Sequence, residues 1–178
     1  MVSRRQLLSG ASAAGAGAVL AGCGATTATD LSGDVLQADV HTLNQLIRAE
    51  YYAVGAYVAV IPLLSGDDAV VAQQFLNQDM SHIEDLAAIV RKTGLKPYAT
   101  GQVYDFGHPR HRTEALELLH HAEQLTIRAY LDGIPKLSPG VVKATAASLL
   151  ANDAQHASTI RGSLGLAPVP EAVVTGTA

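Results

Sequence analysis

The chain has 178 residues, of which 48% are hydrophobic, 4% aromatic and 16% charged, with a formal net charge of -4. That length and apolar content suit one domain with a sizeable core and exclude the disordered class. The acidic balance, with no basic block, excludes nucleic acid as a partner. The single cysteine excludes a disulfide framework and any cysteine-built iron-sulfur or zinc site.

Residues 1–22 contain no acidic residue, the adjacent pair Arg4 and Arg5, and a Gly/Ala/Leu-rich run from Leu7 to Gly22. This reads as a cleavable signal peptide, too short and too glycine-rich for a good membrane span. Ser3-Arg4-Arg5-Gln6-Leu7-Leu8 resembles the twin-arginine (Tat) export motif but lacks its common Phe and trailing Lys, so the general secretory route is the alternative. Leu20-Ala21-Gly22-Cys23 resembles a bacterial lipobox. That resemblance implies a lipoprotein of the bacterial cell envelope, outside the cytoplasm, with Cys23 as lipidation site and mature N-terminus and with membrane lipid as its partner. Loss of Arg4 and Arg5 leaves ten basic and sixteen acidic residues, a mature charge of -6. Residues 23–33 then read as a lipidated tether, 34–166 as the folded domain and 167–178 as a C-terminal tail.

Beyond the tether the apolar period is helical, without strand-like alternation. A first helix, from about Asp34 to Ile61, places Leu36, Val40, Leu43, Ile47, Glu50, Val54, Tyr57 and Ile61 on one seam. The second, about Asp67 to Thr93, places Ala72, Leu76, Asp79, Ile83, Leu86 and Val90 likewise, and Gly94 stops it. The third, about Thr113 to Ile134, aligns Leu116, His120, Glu123, Ile127, Tyr130 and Ile134. The fourth, about Pro139 to Leu164, aligns Val142, Ala146, Leu149, Asp153, His156 and Ile160, with Ser138 as the expected N-cap and Pro139 in the first turn. The turns at Pro62 and Pro135 are short, whereas about 18 residues, Gly94 to His111, link the second helix to the third. The expectation is an all-α four-helix bundle with one long crossover, the connectivity of ferritin-like folds.

An internal repeat supports it. A shift of 73 residues lays Ala49-Glu50 on Ala122-Glu123, Ala56-Tyr57 on Ala129-Tyr130, Ile61-Pro62 on Ile134-Pro135 and Leu64-Ser65 on Leu137-Ser138. One further residue of offset lays Asp79-x-x-His82 on Asp153-x-x-His156. Two pseudo-symmetric helix pairs should therefore set their matching polar groups around one centre.

Those groups are four carboxylates, Glu50, Asp79, Glu123 and Asp153, and two imidazoles, His82 and His156, all at seam positions. An acid and a histidine three residues apart share one helix face. Unpaired buried carboxylates cost several kcal/mol each, and no Lys or Arg lies on these seams, so metal ions or protons must compensate them. The order Glu, Asp-x-x-His, Glu, Asp-x-x-His matches di-iron and di-manganese carboxylate bundles except that Asp stands where Glu is expected. One methylene fewer shortens the reach by about 1.5 Å, which places bridging of two ions in question. Two iron or manganese ions, a single ion including zinc, and a metal-free polar layer all satisfy the burial cost. His120 is a second-shell partner, an added ligand or a core histidine; Tyr57 and Tyr130 share the faces of Glu50 and Glu123 as partners for the carboxylates or a redox relay. His108, His111 and His121 read as surface residues.

The whole mature domain resembles the ferritin-like family that includes the bacterial desiccation-related proteins. The segments that carry this are Ala49-Glu50-Tyr51-Tyr52, Asp79-Met80-Ser81-His82, Tyr104-Asp105-Phe106 and Asp153-Ala154-Gln155-His156 with Arg161. The resemblance implies a metal centre on the six residues, with a small oxidant, oxygen or peroxide, as partner; ferrous iron oxidation or peroxide removal would be its chemistry. It equally admits a non-catalytic, stress-related structural or binding module with a degenerate site, and a homodimer as the assembly.

Overall fold

The computed structural model describes residues 37–177, Pro139 excepted. The signal, the twin-arginine and lipobox segments, Cys23, the tether and the first turn expected at Asp34 lie outside the described residues.

Four helices follow in order: α1 over Gln37–Val60, α2 over Gly66–Lys92, α3 over Arg112–Gly133 and α4 over Val141–Ser163. No strand occurs among the described residues. Pro62 and Pro135 each sit in a one-turn 3-10 segment, Ile61–Leu63 and Ile134–Lys136, that ends its helix, as expected where a proline removes a donor. α2 ends at a glycine in the left-handed region, Gly94 with φ +79°, and carries acids in its first turn and bases in its last, which complements the helix dipole.

One start differs from the sequence expectation. α4 begins at Val141 with Gly140 as its N-cap, not Ser138. The Ser138 N–H is donated to Asp39 Oδ1 of α1 at 2.9 Å, which fixes the turn against the first helix, and the chain enters α4 through Gly140 at φ +99°, a conformation open to glycine.

The described seam residues, Val40 onward, form the core, although Val54, Ile61 and Ile134 are only half-buried. Leu43, Ile47, Leu86, Val90, Tyr130 and Ala146 pack at one end, and Ala53, Tyr57, Val60, Leu76, Leu116 and Leu119 at the other. Each buried large side chain contributes roughly 1.5–3 kcal/mol. By length and composition Gln37–Leu63 could cross a membrane, yet its inward stripe from Leu43 to Val60 is used within the bundle. α1 packs closely on α2 and α3, and α3 on α4, while α2 and α4 are the most thinly packed of the four adjacent pairs. The polar layer lies between the two apolar clusters.

The two non-helical stretches occupy equivalent places. In the crossover, Tyr104 and Phe106 pack edge-on against Tyr52 and lie over Gly55 of α1. In the tail, Gly176 lies against the backbone of Arg128 on α3, and Arg128 Nε donates to the Gly176 carbonyl at 3.2 Å. Position 55 maps onto 128 by the same 73-residue shift, so the repeat extends past the helices into the segment after each pair. A Cβ at Gly55 would lie 3.1 Å from both Phe106 and Tyr104. Gly55→Val should therefore lower stability by about 1–3 kcal/mol through overpacking, read as a lower melting temperature and faster proteolysis within 94–111. An unchanged digest would show that the crossover is not held there.

Candidate metal centre

Glu50 on α1 and Glu123 on the adjacent α3 are fully buried, with Asp79 and His82 from α2 and Asp153 and His156 from α4 completing the layer. All six side chains are buried. Heptad-like stepping of small and branched apolar residues places them there. Apart from the half-buried Val54, the positions just before and after each acid on its seam are core.

The histidines turn their Nδ1 atoms inward. His82 Nδ1 lies 3.3 Å from both Glu50 Oε1 and Asp153 Oδ1 and 3.9 Å from Asp79 Oδ1. His156 Nδ1 lies 3.2 Å from Glu123 Oε1 and 3.4 Å from Asp79 Oδ1. The two rings are nearly parallel, with centroids 6.2 Å apart. Tyr57 donates to Glu123 Oε1 at 2.5 Å, and Tyr130 to Glu50 Oε1 at 2.6 Å. Each tyrosine thus serves the glutamate of the other half.

Six carboxylate oxygens of the layer have no hydrogen-bond partner among the described residues: Glu50 Oε2, Glu123 Oε2 and both oxygens of Asp79 and of Asp153. Six buried carboxylate oxygens without a hydrogen bond in one layer are what a cation would satisfy, and carboxylate with imidazole is a donor set that iron, manganese and zinc accept. The ligand atoms converge in two groups: Glu50, Asp79, His82 and Asp153, and Asp79, Glu123 and His156. Asp79 belongs to both, so the shorter side chain reaches a shared position on α2; Asp153 joins the first group only.

Burial dominates the protonation of the acids. It raises Glu50 and Glu123 against the opposing pull of His82 and His156, and raises Asp79 well above its usual range with help from Glu123. Burial and then Glu50 bring Asp153 up to about 7. Burial opposes charge on the histidines too, but hydrogen bonds to Asp153 and Glu50 outweigh it for His82, which rises to about 11. Asp79 and Glu123 do the same for His156, which rises to about 9. In both histidines Nδ1 is the ring atom that meets the carboxylates, at the places where cations would sit. Burial, then Glu123 and Glu50, push the phenols of Tyr57 and Tyr130 well above their usual range, so both remain donors.

His120 is buried but belongs to neither group; its Nε2 lies 3.2 Å from Gln124 Nε2, and burial with Arg161 nearby lowers its pKa. His108, His111 and His121 are exposed. Three contacts were not anticipated from the sequence. Gln78 Oε1 lies 2.7 Å from His156 Nε2, Asn152 Oδ1 lies 3.0 Å from His82 Nε2, and the Phe75 ring stacks on His156 with centroids 4.0 Å apart. A signal for the first two was present: the offset of 74 that aligns the Asp-x-x-His pairs also lays Gln78 on Asn152, a carboxamide on a carboxamide. Phe75 maps onto Leu149, so the same offset gives no sign of it.

A family model described as a ferritin-like domain matches residues 34–166. No curated protein matches the sequence. Among solved structures, one described as "ferritin like, diiron-carboxylate proteins" from Bacillus anthracis str. Ames is 18% identical, with a TM-score of 0.49, covering 71% of this chain and 90% of its own.

Proposed function

The chain belongs to the ferritin-like domain family, and from that premise we propose that it is an exported, lipid-anchored protein whose buried layer holds two iron or manganese ions and oxidises ferrous iron or removes peroxide. The observation that carries this reading is that all four carboxylates keep oxygens without a hydrogen bond, both of them on Asp79 and on Asp153, beside inward-facing imidazoles. A closed polar layer without metal, the alternative of a degenerate module, would require a donor or a bound proton for those oxygens, and tyrosine and histidine reach only one oxygen of each glutamate.

Glu50 with His82, and Glu123 with His156, would hold the ions, with Asp79 shared and Asp153 on the Glu50 side. A bound ferrous pair supplies two electrons, which with two protons reduce hydrogen peroxide to two waters. Tyr57 and Tyr130 keep their protons and fix one oxygen of each glutamate, which leaves the other oxygen free to ligate. Phe75 covers one face of His156 and excludes water there. A narrow cleft between Val71, Ala72, Leu116 and Ile160 ends at Tyr57 and Phe75, with room for about 10 Å³, on the scale of one water-sized molecule.

The test is hydrogen peroxide consumption with ferrous iron supplied. The native protein should exceed background oxidation by on the order of tenfold or more, and the Glu50→Ala, Glu123→Ala variant should not. Equal rates in both would contradict the reading. The anchor is tested separately: mass spectrometry of the mature N-terminus should show acyl chains on Cys23, and an unmodified cysteine or an intact residue 1 would refute lipidation.

A further inference from the structure

We propose that Gln78 and Asn152 are positioning residues of the centre. Each carboxamide oxygen accepts the Nε2–H of the histidine on the opposite helix and so keeps that histidine in the tautomer whose bare Nδ1 faces the carboxylates. The inference rests on the metal-centre reading above and deepens it.

The geometry is reciprocal. Gln78 precedes Asp79 on α2 and reaches His156 on α4 at 2.7 Å; Asn152 precedes Asp153 on α4 and reaches His82 on α2 at 3.0 Å. Each helix therefore supplies an acid and a histidine to the layer and orients the histidine of the other helix. The two links cross the α2–α4 face, the most thinly packed of the four adjacent helix pairs, where packing alone gives the rings less support. Both carboxamides are half-buried, and they stand on the ring edge away from the carboxylates.

The chemistry requires such a partner. A neutral imidazole has one N–H and one bare nitrogen, and only the bare nitrogen ligates a metal. If Nδ1 carried the proton, the inward edge would donate to Glu50, Asp153, Asp79 and Glu123 and could not bind a cation. An acceptor at Nε2 selects the other form. A carboxamide does so without charge, so the layer keeps four carboxylates, a charge that two divalent cations balance; a carboxylate at the same place would add to it.

Because each carboxamide serves one histidine, its loss should weaken one site. Asn152→Leu acts on the group of Glu50, Asp79, His82 and Asp153, and Gln78→Leu on the group of Asp79, Glu123 and His156. Outer partners of ligating histidines are typically worth 10–100-fold in metal affinity.

The experiment titrates the purified full chain with zinc against a chromophoric chelator, for the native protein, Asn152→Leu, Gln78→Leu and the acceptor-retaining Asn152→Asp and Gln78→Glu. It is paired with 15N NMR of the histidine rings in the zinc form. The expected result is two binding steps in the native chain, one of them weakened about 10–100-fold in each Leu variant and restored to within a few-fold by Asp or Glu, with Nδ1 metal-shifted and Nε2 protonated. Equal affinities across native and Leu variants, or zinc on Nε2, would overturn the positioning role while leaving the metal centre intact. No zinc bound by the native chain would overturn both. If a Leu variant fails to fold, the Asp and Glu variants and the ring tautomers of the native protein still decide the matter.

Discussion

Metal-free protein is expected to lose thermal stability as pH rises from about 6.5 to 9, and added metal is expected to reverse that slope. His156 titrates at 6.5 when unfolded and at about 9 in the bundle, and His82 is raised further, to about 11. Between those values the folded state binds protons that the unfolded chain has released, so the stabilisation is complete below about 6.5 and is lost as pH climbs through the folded pKa. Asp153, raised from 3.8 to about 7, acts in the same direction at lower pH. Asp68, lowered by its hydrogen bond to Arg112, acts the opposite way but is fully ionised before this window begins. At ~1.4 kcal/mol per pKa unit the His156 contribution is on the order of 3 kcal/mol, which corresponds to about 10 °C in a domain of this size. Metal ions displace the Nδ1 protons, so their stabilisation should grow with pH. Melting curves from pH 6 to 9, with and without manganese, check this; a metal-free protein most stable at pH 9 would contradict it.

The second large effect follows from removing one partner in the layer. Glu123→Ala leaves the Tyr57 hydroxyl without its acceptor and His156 without one of its two carboxylates. Breaking a buried pair in this way costs about 3–5 kcal/mol, because the remaining charge stays uncompensated. Adding Tyr57→Phe and His156→Leu to Glu123→Ala removes the stranded groups, and part of that loss should return. The check is chemical denaturation of the metal-free single and triple variants. A triple variant less stable than Glu123→Ala by the sum of separate losses would show that these residues do not act as one layer.

Much of this bundle is legible in the amino-acid order because the helices obey one rule each. Ala72 to Val90 and Val142 to Ile160 keep strict seams, and their buried positions agree with the 3.6-residue period throughout. Where neighbours decide, the period is a weaker guide. Ser138 has the chemistry of an N-cap, but its N–H is held by Asp39, far away in sequence, so the helix starts beyond Gly140. Val54 and Ile61 satisfy the seam of α1, yet Ala53 and Val60 occupy the tighter space beside it. The six acids and histidines were visible because a charged residue at a core position is costly and because the repeat supplies it twice. Gln78 and Asn152 are half-buried and uncharged, so burial cost does not mark them; their role depends on which nitrogen of a facing histidine they meet. Periodicity sets Tyr57 and Tyr130 on the seams of Glu50 and Glu123, but it does not show that each crosses to the glutamate of the other half.

The central claim is that the polar layer is a metal centre, and metal content per chain tests it most directly. Protein purified from cells supplied with iron and manganese should carry about two ions per chain, and Glu50→Ala, Glu123→Ala should carry none while remaining helical. A native chain that is folded, helical and free of stoichiometric metal would contradict the account and leave a structural layer in its place.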